Sequence, residues 1–239
     1  MSGASVHELR VLARRLLDTS SATDAPTAYY ALFHDAARTA LYTAEDAQGH
    51  ITGFVSVCQT GLDLFRPLVT LRCLDEASAA MLLARALTPG RPYILFASMS
   101  QLPLLVAHLD VDNLRALHIY RLNPRHFRPP LSALVQTART PDGAPRWVIE
   151  GAEGRAVVGL NWRSPAFAEI YVQVDEDVRG RGWGRQVVAA ATQDVLAEGR
   201  VPLYLVAEGN TVSARLAANL GYMDTGAQQV LAEIVLQTP

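Results

Sequence analysis

Apolar residues recur at helical spacing in Val6–Leu17, where Leu9, Leu12, Leu16 and Leu17 share one face before a Ser/Thr/Asp-rich stretch. Thr27–Thr39, behind Pro26, predicts a second helix. Ala40–Thr43 and Ile51–Cys58 flank a turn at Gln48-Gly49-His50 and read as paired strands. Leu68–Cys73 is a third strand, Ser78–Ala86 a helix, Pro92–Ala97 a buried strand, Leu102–Leu109 another helix and Leu114–Leu122 a closing strand. The polar run from Asn123, ending in Pro129-Pro130, breaks the pattern and reads as a linker.

The order then repeats. Arg146–Glu150 and Ala156–Trp162 form a hairpin pattern across Gly151–Gly154, and Ala168–Val174 is a strand. Gly184–Ala197 is a helix carrying Val187, Val188, Ala191 and Val195 at helical spacing. Pro202–Ala207 is a strand, Thr211–Leu220 a short helix and Gln228–Leu236 the last strand. Gly53 lines up with Gly159, and Asp75-Glu76 with Asp175-Glu176, each acidic pair following a strand. The expectation is an α/β chain with mixed sheets in two similar halves, 1–130 and 131–239.

A length of 239 residues with 50% apolar and 18% charged side chains suits one large or two small domains, each with a real core. The longest apolar runs, Ala79–Ala84 and Leu102–Ala107, fall far short of the ~20 residues that span a bilayer. The first residues lack the basic-then-apolar order of a signal peptide, so a cytoplasmic protein without a membrane partner is expected. A net charge of −2 and no basic block argue against nucleic acid. Cys58 and Cys73 make no C-x-x-C pair. Two reduced thiols fit a cytoplasmic chain better than a disulfide, and no His/Cys pattern calls for a metal. The 21 cations are all arginine. Without lysine there is no P-loop, no kinase strand lysine and no Schiff base.

Chemistry concentrates in Asp175-Glu176-Asp177-Val178-Arg179-Gly180-Arg181-Gly182-Trp183-Gly184-Arg185, between a strand and a helix. Glycines let the backbone approach an anion, and the first N–H groups of a helix face it with the positive end of the dipole. Arg179, Arg181 and Arg185 add charge. The spacing is not that of the dinucleotide fingerprint. Arg179-x-x-Gly182-x-Gly184 does match the Q/R-x-x-G-x-G/A signature of the GNAT N-acetyltransferase superfamily. The strand end Val172-Gln173-Val174, the run Asn210-Thr211-Val212-Ser213 and Leu220-Gly221-Tyr222 extend that resemblance through most of residues 145–236.

The resemblance implies a GNAT acyl-CoA N-acyltransferase fold in two GNAT-like halves, and acetyl-CoA as cosubstrate with no metal. Its pyrophosphate would lie on the N–H groups of Arg179, Gly180, Arg181, Gly182, Trp183, Gly184 and Arg185. The pantetheine would run beside Val172, Gln173 and Val174, meeting Asn210 and Ser213. Trp183 is expected mainly in the core, and Asn210 serves equally as a helix N-cap. The acceptor would be a small-molecule or peptide amine, with a homodimer left open. Glu169 is the candidate base and the Val174 N–H the oxyanion donor. A single sequence leaves open which way Glu169 faces. Where the family often has a tyrosine, seven residues after the asparagine, this chain has Ala217. That departure leaves a non-catalytic acyl-CoA sensor as the rival reading. In the first half, Leu74-Asp75-Glu76-Ala77-Ser78 has no glycine and two acids, so no phosphate site is expected there.

Overall fold

The computed structural model describes residues 4–61, 63–131, 133–141 and 143–237. The chain divides into two compact units, residues 1–117 with 227–239, and residues 118–226. The Pro129-Pro130 break therefore lies inside the second unit. Two strands pass from one unit to the other, β5 (Leu109–Leu122) and β11 (Tyr222–Leu236). Both are longer than their apolar patterns predict, because residues 109–113 and 222–227 are largely polar or exposed.

In the first unit β1 (Thr39–Glu45), β2 (Ile51–Cys58) and β3 (Leu68–Cys73) form an antiparallel meander. Helix α3 (Glu76–Ala86) crosses over to β4 (Pro92–Ser98), which is parallel to β3 and antiparallel to β11. Leu71, Leu82, Leu83, Tyr93, Leu95 and Ile234 fill the core beneath α3. Cys58 and Cys73 are buried free thiols. The helix expected over Thr27–Thr39 is instead α2 (Ala25–Ala28), a π turn over Tyr29–Phe33 and a 3-10 turn over Ala36–Arg38. Asp35 interrupts it by capping Ala37 N–H at 2.9 Å. The first helix, α1 (Val6–Ala13), likewise ends as a 3-10 turn. The helix expected over Leu102–Leu109 is a 3-10 segment, Met99–Leu104, that contains Pro103.

The second unit repeats the order. β6 (Gln136–Arg139), β7 (Pro145–Gly151), β8 (Gly154–Arg163) and β9 (Phe167–Val174) are antiparallel neighbours. Helix α4 (Trp183–Ala197) crosses over to β10 (Val201–Ala207), parallel to β9, and α5 (Thr211–Asn219) follows. β6 carries no apolar signal because all four residues are exposed. Trp147, Ile149, Val158, Ile170, Val187, Val188 and Ala191 pack between α4 and one face of the strands.

The paired glycines of the two halves are not equivalent. A Cβ on Gly53 would press on Leu82 of α3 at 3.1 Å, whereas one on Gly159 would strike Arg146 and Tyr171, on the face away from α4. The chain needs its glycine most at Gly221. There φ is +91°, and a Cβ would lie 2.7–2.9 Å from backbone atoms of His126 and Phe127. Gly221→Ala is expected to cost roughly 2 kcal/mol and lower Tm by about 4–8 °C, measured by thermal melting.

Candidate functional site

The glycine-rich segment begins where β9 ends. Asp175 N–H donates to Arg155 O at 3.0 Å, and the Asp175 carboxylate accepts Arg155 N–H at 3.0 Å, which pins the loop to the β7–β8 hairpin. A 3-10 turn over Glu176–Val178 buries Val178. Gly180 and Gly182 both sit at φ +77°, where L side chains are strained. Gly182 is the N-cap of α4, and no side chain caps the helix. Its first N–H groups are thus left for a ligand.

The matching helix of the first unit is closed. Asp75 caps α3, its carboxylate accepting from Ser78 N–H at 2.7 Å and from Ser78 Oγ at 2.9 Å. An anion there would meet a carboxylate in place of free amides. The two aspartates that align in sequence thus do opposite things: Asp75 fills a helix end, and Asp175 holds a loop away from one.

The uncapped end opens onto a cleft of about 810 Å³ within the second unit. Val172 and Val174 form one wall, Arg179, Gly180, Gly182, Trp183, Gly184 and Arg185 the turn, and Asn210, Val212, Ser213, Arg215, Leu216 and Asn219 the other wall. The strands make room for it. β9 and β10 pair from Phe167↔Val201 only as far as Ile170↔Tyr204 and then part. Residues 171 and 173 of β9, like Asp175 just beyond it, direct their N–H groups at β8, since Asp175 N–H bonds Arg155 O and antiparallel ladders alternate. The N–H groups of Val172 and Val174 therefore face the gap left by β10.

Two expected members stand outside the cleft. Gln173 is exposed and points to the opposite face of the strand from Val172 and Val174. The side chain of Arg181 is ion-paired with Glu153, and Arg179 pairs with Glu176 at 3.2 Å. Arg185 and Arg215 have no carboxylate partner among the described residues, so they are the free cations of the site. Arg215, Val212 and Asn219 carry no motif signal, and only their place on α5 beside the turn brings them in. Trp183 does two things at once. Part of it packs on the core, with its ring 3.0 Å from where a Gly151 Cβ would be, and part lines the cleft. Asn210 caps α5 by accepting Ser213 N–H at 3.1 Å on Oδ1, which leaves its amide N–H₂ to donate.

Glu169 faces away from the α4 side and does not line the cleft. It is buried at 7% exposure. A bulge explains its environment: Leu160 pairs with Ile170 but Trp162 pairs with Glu169, so Asn161 is an extra residue. Asn161 Nδ2 donates to Glu169 Oε1 at 2.6 Å, and Trp162 adds a second polar influence that favours the carboxylate. Burial outweighs both and lifts the pKa from 4.5 to about 7. A carboxyl poised there can take or hold a proton at neutral pH.

The tyrosines are arranged differently. Tyr222 is buried with its hydroxyl 2.7 Å from Thr192 Oγ1, a packing role. Tyr204 stands where β9 and β10 part, and burial raises its hydroxyl's pKa against the smaller, opposite influence of Ser213. Ala217 is wholly buried on the inner face of α5.

The comparisons with known proteins follow the same lines. Residues 153–230 match the family model described as FR47-like protein. A GCN5-related N-acetyltransferase-like protein from Streptococcus suis superposes with a TM-score of 0.63 at 15% identity, over 96% of this chain and 100% of that one. A tandem GNAT protein from the clavulanic acid biosynthesis pathway, solved without acetyl-CoA, gives 0.57 at 15% identity over 97% and 94%. The chain has the GNAT fold. A GCN5-related N-acetyltransferase from Sphaerobacter thermophilus gives 0.59 at 12% identity over 99% and 95%. No curated protein has a significantly similar sequence. The GNAT likeness thus covers both units. Among the described residues, no group of side chains could hold a metal ion, and no helix is long and apolar enough to cross a membrane.

Glu169 makes the stability of this GNAT-fold chain depend on pH. Its folded pKa lies above its unfolded one, so its contribution is complete below about 4.5 and is lost as pH rises through about 7. Melting temperatures at pH 5 and pH 8 should therefore fall further for the wild type than for Glu169→Gln.

Proposed function

We propose that the second unit binds acetyl-CoA and that the protein transfers its acetyl group to a primary amine. The observation that carries this reading is the uncapped, twice left-handed glycine turn of α4, opening onto a cleft whose far wall is a strand with unpaired N–H groups. A pyrophosphate fits such a turn through backbone N–H bonds and the helix dipole, with Arg185 and Arg215 as countercharges. An extended amide-containing arm fits the edge at Val172 and Val174 as an added strand, and the Asn210 amide can donate to it. The acetyl thioester supplies the activated acyl group.

Each residue then has one task. Glu169 accepts the proton of the acceptor ammonium, directly or through one water, and its raised pKa suits it to do so near neutral pH. The Val174 N–H, pointing into the gap, donates to the oxygen that gains negative charge as the amine nitrogen bonds the acyl carbon. The C–S bond breaks as the N–C bond forms, and the sulfur leaves as thiolate or takes a proton. The first unit, with Asp75 across its helix end, holds no second cofactor.

The buried Ala217 supports the rival reading, a non-catalytic acyl-CoA sensor, and binding and turnover separate the two. Acetyl-CoA should bind the wild type by isothermal titration. Gly182→Glu should abolish binding, and Arg185→Glu, which adds no backbone strain, should weaken it by about tenfold or more. Glu169→Gln should retain binding but lose roughly 100-fold in kcat at neutral pH, while wild-type kcat rises with pH and levels off above about 7. Binding without turnover on any amine would favour the sensor.

A further inference from the structure

The face of the second unit's sheet that carries Glu169 holds a second constellation. Arg146, Gly159 and Tyr171 are direct cross-strand partners on β7, β8 and β9. Gly159 has no side chain, and the two flanking residues lean into the space above it. The Arg146 guanidinium lies 5.4 Å over the Tyr171 ring. From the point where a Gly159 Cβ would sit, Arg146 Nη1 is 2.6 Å away and the Tyr171 hydroxyl 2.7 Å. A guanidinium and a phenol O–H thus converge on one spot. Arg146 Nη1 donates only to the carbonyl of its neighbour Pro145, at 3.0 Å, and no carboxylate pairs with this arginine among the described residues. A half-buried guanidinium stacked on an aromatic ring, beside a second donor, is suited to a carboxylate.

Tyr171 is two residues from Glu169 on the same strand, so the two side chains stand on one face about 7 Å apart along it. Hydrogen bonds of about 2.8 Å that rise off the sheet face at each end, not along the line joining the two groups, let a short molecule bridge them. We propose that Arg146 and Tyr171 form the carboxylate subsite of the acceptor, which is a short amino acid whose amine and carboxylate are separated by one to three carbons. This assignment rests on the acetyltransferase reading, with the amine end of the acceptor directed at Glu169. Gly159 is its structural requirement, since any Cβ there displaces both recognition groups.

The test is equilibrium binding of products, which needs no turnover. N-acetylglycine, N-acetyl-β-alanine and N-acetyl-γ-aminobutyrate are titrated against their carboxamides, with the full chain free and with CoA present. The carboxylates should bind at least tenfold more tightly than the amides. Arg146→Leu should bring that ratio to about one without changing CoA affinity, Arg146→Lys should restore part of it, and Gly159→Ala should lower it. A wild-type ratio near one, or a preference that survives Arg146→Leu in a variant that melts like the wild type, overturns the subsite. Loss of the acetyltransferase reading has a separate signature, failure of CoA to bind, and the carboxylate-to-amide ratio of the free protein still decides the subsite in that case.

Discussion

A helix must satisfy its first N–H groups from outside its own hydrogen-bond ladder, and the two units of this protein meet that requirement in opposite ways. Helix α3 uses Asp75, and its end is closed. Helix α4 begins at a glycine with no side chain to offer, behind a loop in which Asp175 is turned back to the β7–β8 hairpin. From that single difference follow the cleft, the positive end of a dipole exposed within it and the closing of the equivalent helix end in the first unit.

The parting of β9 and β10 turns an anion site into a longer groove. Past Ile170 and Tyr204 the ladder stops, and the free N–H groups of Val172 and Val174 continue the line of donors from the glycine turn. The same strand divides the chemistry between its faces. Even-numbered residues line the groove, and odd-numbered ones, Glu169 and Tyr171, look the other way. On the proposed acetyltransferase reading, the gap in the sheet is where a donor held on one face would meet an acceptor held on the other.

What the sequence revealed was what is local. The glycine spacing, the asparagine three residues beyond a strand and the order of strands and helices all lie within short windows, and the fold followed from them. What it concealed depends on register. The inward facing of Glu169 comes with the bulge at Asn161, which no alternation rule reveals. The meeting of Arg146 with Tyr171 over Gly159 joins residues 25 positions apart through two ladders. β6 was hidden because Gln136–Arg139 is a polar edge strand, and the broken helix near Tyr29 because one capping aspartate outweighs an apolar pattern. Gly53 and Gly159 matched in sequence yet serve opposite faces, a reminder that a small residue can be needed for different neighbours.

The central claim is that one helix end is open to an anion and the other is closed by its own cap. Amide chemical shifts of the nitrogen-15-labelled protein, followed while CoA is added, test it most directly. The account predicts large shifts at Gly180 to Arg185 with further shifts at Val172, Val174 and Ser213, while Ser78 and Ala79 of the first unit stay in place. Shifts centred on Ser78 and Ala79, or no shift in the Gly180–Arg185 amides at saturating CoA, would contradict it.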